Sequence, residues 1–286
     1  MKKTKKAAAL ILAAALMLGL PSCKKDQPDP AVFPDVVTKG IPDEGEPESE
    51  IKQGDFYAEL YANYAVITEY DGSDRSVSMP KAVGGRDVLA VGSYCFAGND
   101  SVEEVILPSG IRVIEKGAFE DCVNLRSVTL PDTLETISDF AFRYTALSGI
   151  ELPGSVAYIG MYAFYLTHIE SVTIPSGVST IERYAFYGIQ ELKTVKLSER
   201  LSSIGERAFG GCRSLKTIEI YENVASFGDY CFSDCVSLES LRIPEKAKSF
   251  GNAVFNGCTN LTLQVKKNSE AAKYADKNGY RYDLVK

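Results

Sequence analysis

Seven cysteines and a single histidine, His168, are the residues of this 286-residue chain with the most capacity for chemistry. A thiolate can act as a nucleophile or a metal ligand, and an imidazole can serve as its base. Their spacing argues against both uses. Cys122, Cys212, Cys235 and Cys258 each stand three residues after a phenylalanine, and Cys95 and Cys231 each stand directly before one. Thiols placed at one register of a regular structure form a straight ladder, whereas a metal needs ligands that converge. The ladder leaves two readings open: buried thiols packing as small hydrophobes, or a disulfide between neighbouring turns of chain, whose spacing of about 5 Å permits one. Around His168 the sequence puts Thr145 and Gly188 near the cysteine register, so no Cys–His pair forms by spacing. Acidic residues are plentiful but scattered. No glycine-rich phosphate loop, metal loop or nucleophile elbow is present. The expectation is a protein with no cofactor, no metal and no catalytic centre.

The elements that position these residues are repeats. A small residue followed by Phe recurs at Phe96, Phe119, Phe142, Phe164, Phe186, Phe209, Phe232 and Phe255, at spacings of 23, 23, 22, 22, 23, 23 and 23. Each copy continues in the same way. One runs Ile114-Glu115-Lys116-Gly117-Ala118-Phe119, then Cys122, then Leu125, Val128, Leu130 and Pro131; another runs Ile204, Ala208-Phe209, Cys212, Leu215, Ile218 and Ile220. A degenerate earlier unit lies at Val77-Ser78-Met79-Pro80. The Val-x-Leu alternation has the period of a strand with one face inward. Proline ends each strand, except where Ser198 and Tyr221 replace it. The Ile-x-x-x-Ala-Phe portion has near-helical spacing. No single unit buries its own apolar face, so nine units must stack, their strands forming a parallel sheet roughly 40 Å long at about 4.8 Å per strand.

The Leu-x-x-Val-x-Leu core resembles the leucine-rich-repeat signature. With the 22–23-residue period, the Ala-Phe pair, the small or Cys residue three later and the strand-ending Pro, it is similar to the BspA-like leucine-rich repeats of bacterial surface proteins. The resemblance covers residues 74–262. It implies a solenoid with a parallel sheet on one face and short helical turns and loops on the other. It also implies a role in adhesion or in capture of protein or glycan ligands. Residues 55–73, including Phe56 to Tyr70, are expected to cap the first coil. Residues 263–286 are expected to cap the last, with a helix opened by Asn268-Ser269, stopped near Asn278-Gly279 and followed by a strand. A chain bearing both caps is expected to be a whole protein.

Register also selects surface columns. Outward on the sheet, Ser78, Ile106, Thr129, Glu151, Thr173, Lys196, Glu219 and Arg242 form one column. Ser76, Glu104, Ser127, Gly149, Ser171, Thr194, Thr217 and Ser240 form a hydroxyl-rich second. Thr173, Lys196, Glu219 and Arg242 are candidate ligand contacts, although threonine also simply suits strands. Beside the repeat phenylalanines lie Phe140, Tyr144, Tyr162, Tyr165, Tyr184 and Tyr187. These rings either pad the coils or form a patch for a protein or sugar; Tyr144, Tyr162, Tyr165, Tyr184 and Tyr187 are the candidates.

The N-terminal residues carry an address. Lys2, Lys3, Lys5 and Lys6 precede the unbroken apolar run Ala7 to Leu20, too short for a membrane span. Leu20-Pro21-Ser22-Cys23 resembles a bacterial lipobox, which implies a signal peptide at 1–22 and lipidation of Cys23. Residues 23–54, with five prolines and eight acidic residues after Cys23, read as an extended tether. The expected location is export with lipid anchoring to the outer membrane, exposed at the surface; a periplasm-facing accessory lipoprotein that scaffolds an envelope complex is the alternative. Net charge is −7, and removing the four signal lysines makes the mature chain more acidic, which excludes nucleic acid as a natural partner. In cells fed labelled palmitate, Cys23→Ala should abolish labelling of the protein; unchanged labelling would remove the lipoprotein reading.

Overall fold

A computed structural model describes residue 41 and residues 45–286. The signal segment, Cys23 and residues 24–40 of the tether lie outside the described residues.

The chain winds as a succession of coils, most of them contributing two short strands and a turn. Three-residue strands make the first face: Ser76–Ser78, Glu104–Ile106, Ser127–Thr129, Ser171–Thr173, Thr194–Lys196, Thr217–Glu219 and Ser240–Arg242. Every one has a buried central residue between two exposed ones. Two-residue strands, from Val113–Ile114 to Ser249–Phe250, make the second face. Pairing along both faces is parallel and in register, with Val172 opposite Val195 and Val195 opposite Ile218.

The third side is the turn that carries the repeat phenylalanine. Its hydrogen bonds alternate between two uses. Ala118 N–H donates to Glu115 O, Glu120 N–H to Gly117 O and Cys122 N–H to Phe119 O, all within the coil. Gly117, Phe119 and Asp121 instead donate to Asp139 O, Ala141 O and Arg143 O of the next coil at 2.9 Å each. The near-helical spacing therefore produces one helical turn per coil and no helix. Left-handed backbone brackets that turn two residues before and two after Phe, with φ 60° and 59° at Phe140 and Tyr144 and 55° and 72° at Tyr184 and Gly188. A left-handed residue cannot continue a right-handed helix, and at non-glycine positions it costs roughly 1–2 kcal/mol.

Stacked rings fill the interior behind these turns. Phe96, Phe119, Phe142, Phe164, Phe186, Phe209, Phe232 and Phe255 are all fully buried. Consecutive centroids lie 4.9 to 6.0 Å apart and near parallel. Tyr70 stacks on Phe96 at one end, and Tyr280 meets Phe255 edge-on at the other.

Strand-ending proline proves replaceable. Val178 N–H donates to Pro175 O at 3.0 Å, and the same turn closes at Ser198 (Leu201 N–H, 3.0 Å) and Tyr221 (Val224 N–H, 3.1 Å). The bond uses the carbonyl, which every residue has.

Two expectations need correction. The first face is three separate sheets and not one, interrupted between Ser127–Thr129 and Ser171–Thr173 and again between Thr217–Glu219 and Ser240–Arg242. At the first interruption the coil is one residue shorter. The turn from Phe142 to Leu147 closes through Thr145, whose hydroxyl donates to Phe142 O of its own coil at 2.9 Å. Gly149 then occupies the strand register with no side chain to pack, and no strand forms there. Nothing in the strands flanking the second interruption accounts for it. The second correction concerns the tether. Its last residues form strand Ser49–Gln53, antiparallel to Phe56–Leu60. Only Ile51 of that strand packs against the core, and the other four residues are exposed. Main-chain pairing to a free sheet edge forms it, and hydrophobic patterning cannot reveal such a strand.

At the N-terminal end, Phe56–Leu60 pairs antiparallel with Ala65–Tyr70, which joins the second-face ladder through Arg86–Val91. At the other end, helix Glu270–Asn278 is capped by the Ser269 side chain, which accepts from Ala272 N–H, and closes at left-handed Gly279. Its Tyr274 hydroxyl donates to Gly251 O at 3.1 Å and accepts from Val254 N–H at 3.0 Å. Strand Tyr282–Val285 then pairs with Thr262–Lys266.

Phe186→Ala opens a cavity in the middle of the ring stack, where neither neighbour can collapse into it. Urea denaturation should show a loss of about 3–5 kcal/mol, larger than for the same change at the terminal Phe255.

Candidate functional site

The first face carries an open concavity. Strands Ser171–Thr173, Thr194–Lys196 and Thr217–Glu219 floor an open trough of about 450 Å³. Strand alternation sends Val172, Val195 and Ile218 into the core, so their neighbours must face out. Register then aligns Thr173, Lys196 and Glu219 in one line and Ser171, Thr194 and Thr217 in a second. All six are exposed. Lys196 and Glu219 sit directly opposite each other on adjacent strands. The result is a row of hydroxyls beside a cation and an anion, suited to hydrogen-bonding an extended polar ligand and not committed to one charge.

Arg242 is only partly recruited. Its strand belongs to the next sheet, pairing Gln264, and its guanidinium lies 4.0 Å from Glu222. Residues directly preceding each strand were not singled out by the column count. Arg126, Glu170, Lys193 and Lys216 are all exposed there, and Lys193 Nζ donates to Glu170 at 2.8 Å. Counting the same register one residue earlier finds them.

The tyrosine patch divides into two rows. Phe140, Tyr162 and Tyr184 stack at 5.2 and 4.5 Å, and Tyr162 and Tyr184 are buried at 2% and 5% exposure. Their rings pad the coil, one of the two alternatives the spacing left open. Tyr144, Tyr165 and Tyr187 form an outer, half-buried row, with Tyr165 stacked on Tyr187 at 5.2 Å and edge-on to Tyr144 at 5.5 Å. The rows lock together through Tyr162–Tyr165 and Tyr184–Tyr187 contacts. Tyr187 also lies over Gly210, where a Cβ would come within 3.1 Å of the ring. Arg143 sits 4.7 Å above Tyr144, and Arg207 donates to the Tyr184 hydroxyl at 3.0 Å. Ring faces are thus largely spent on one another, which leaves mostly edges and hydroxyls for any partner.

A smaller notch of about 360 Å³ opens on the second face, where the ladder breaks between Tyr158–Ile159 and Thr180–Ile181. Burial pushes the Glu182 carboxyl up, as does nearby Asp139.

The cysteines take their repeat register. Cys122, Cys212, Cys235 and Cys258 donate to Phe96, Phe186, Phe209 and Phe232 carbonyls one coil back, at 3.0 to 3.2 Å. All six described cysteines are free thiols. Burial pushes the thiols of Cys122 and Cys212 up to about 12. His168 is exposed, its Nδ1 3.3 Å from Glu191 Oε1.

Among solved structures, a leucine-rich repeat protein from Bacteroides ovatus aligns with a TM-score of 0.69 and 25% identity, covering 81% of this chain and 66% of its own. A leucine-rich repeat protein from T. pallidum aligns with a TM-score of 0.60 and 28% identity, covering 83% and 99%. No curated protein matches the chain. The family model for the BspA type leucine rich repeat region matches in six copies across residues 89–199 and 179–275. With that match spanning well over half of its length, and with these coils, this chain belongs to the BspA-type leucine-rich-repeat family.

Proposed function

We propose that this protein is a non-enzymatic recognition scaffold of the cell envelope, anchored through lipid on Cys23. Its first face binds a protein or glycan in adhesion or capture. The observation that carries this reading is the trough itself: exposed hydroxyls and opposite charges in fixed register on a floor that strands and core hold rigid. An extended shallow surface suits a large ligand, which gains affinity from many contacts where a small one needs enclosure. The repeat family supports binding in general, and fold alone does not select the ligand. Location on the outer surface fits capture of molecules from outside the cell. Protection of the protein from protease on intact cells would redirect the reading to a periplasm-facing scaffold.

A glycan array and a panel of extracellular host proteins should yield a ligand for the purified chain. Thr194→Tyr with Thr217→Tyr fills the trough without touching the core and should weaken that ligand by about tenfold or more, a loss of about 1.4 kcal/mol. Tyr165→Ser with Tyr187→Ser should leave it bound. The reverse pattern would move the site to the tyrosine rows.

A further inference from the structure

The cysteine ladder ends asymmetrically. Cys212 and Cys235 are fully buried, whereas Cys258, in the same register one coil further, is partly exposed. Adjacent ladder members are brought together by a shared acceptor. Phe232 O takes both the Cys235 N–H at 3.4 Å and the Cys258 thiol at 3.0 Å. The Cys258 sulfur therefore lies close to the backbone of Cys235. The coils around them are held in register by Phe232 N–H to Val254 O at 3.0 Å and Asp234 N–H to Asn256 O at 2.7 Å. One strand spacing, about 4.8 Å, is within the range of Cα separations that a disulfide spans. Phe209 O is shared in the same way by Cys212 N–H and the Cys235 thiol. Both of those sulfurs are buried, so a reagent from solvent reaches the ladder only at Cys258.

We propose that Cys258 and Cys235 form a thiol pair that closes to a disulfide on exposure to a low-molecular-weight disulfide. In the first step the Cys258 thiolate attacks one sulfur of the reagent. The reagent's S–S bond breaks, a mixed disulfide forms at Cys258, and the departing thiolate takes up a proton. In the second step Cys235 loses its proton and attacks the Cys258 sulfur. The mixed disulfide breaks, the second reagent thiol leaves, and a Cys235–Cys258 bond remains. The protein loses two protons and two electrons, and the reagent is reduced to two thiols. Cys258 is the partly exposed member of the pair, which favours it as the attacking sulfur. The bond would staple the coil that receives Tyr274 of the C-terminal helix to the coil before it.

The test incubates the folded chain with glutathione disulfide and follows intact mass and cysteine-linked peptides. Wild type should lose two hydrogens and give a peptide linking Cys235 to Cys258. Cys235→Ser should stop at one glutathione on Cys258, Cys258→Ser should remain unmodified, and Cys212→Ser should behave as wild type. Far-UV circular dichroism of each variant confirms that it is folded. An unreactive Cys258 in folded Cys235→Ser, a mixed disulfide on wild type that never closes, or a link through any other cysteine would each overturn the proposal.

Discussion

The stack of phenylalanine rings sets the terms for every other part of this molecule. Eight rings, closed off by Tyr70 and Tyr280, lie one above another at 4.9 to 6.0 Å. That separation is close to the spacing of parallel strands, about 4.8 Å. Rings and strands can therefore advance together along one axis only if each coil returns its Phe to the same place. Coil length is consequently fixed at 23 residues, or at 22 where the turn after Phe is shortened. The shortened turns at Thr145 and Thr167 show how the stack tolerates change. Each hydroxyl closes onto its own Phe carbonyl, at 2.9 and 3.0 Å, while Cys at the same register in a full-length coil reaches back one coil. The rings stay stacked across both, and the sheet face absorbs the mismatch by breaking at Gly149.

Once the interior is fixed in this way, the outward positions are free to carry function. Thr173, Lys196 and Glu219 owe their alignment to Val172, Val195 and Ile218, which they flank, and none of the three contributes to the core. The tyrosine rows obey a different constraint. They sit on the turn, where the left-handed residues at Tyr162 and Tyr184 direct their rings onto neighbouring coils. Packing of large rings offsets the cost of left-handed backbone at these positions. The two surfaces look alike in a sequence as columns of repeated residue types, but they stand for different physics.

Much of this fold was legible from spacing alone, because the repeats make every register visible several times over. Strand positions, inward and outward residues, and the cysteine ladder all follow from counting from Phe. Three things were not legible. Strand Ser49–Gln53 has no apolar pattern, since its partner is a main-chain edge. The breaks in the sheet depend on small losses of pairing that residue types barely signal. The burial of Tyr162 and Tyr184 depends on backbone handedness, which a Tyr does not advertise as a Gly would. For the candidate site, register placed Thr173, Lys196 and Glu219 together, and it misplaced Arg242 by assuming an unbroken sheet.

The alternation of hydrogen bonds in the phenylalanine turns has a mechanical meaning. Bonds such as Gly117 N–H to Asp139 O and Phe119 N–H to Ala141 O run along the solenoid axis from one coil to the next. Tension applied between the two ends of the solenoid pulls parallel to these bonds and loads one coil boundary at a time. Each release frees one repeat, about 75 Å of extended chain. Because the coils are of 22 or 23 residues, each boundary released along this axis would add nearly the same length of chain.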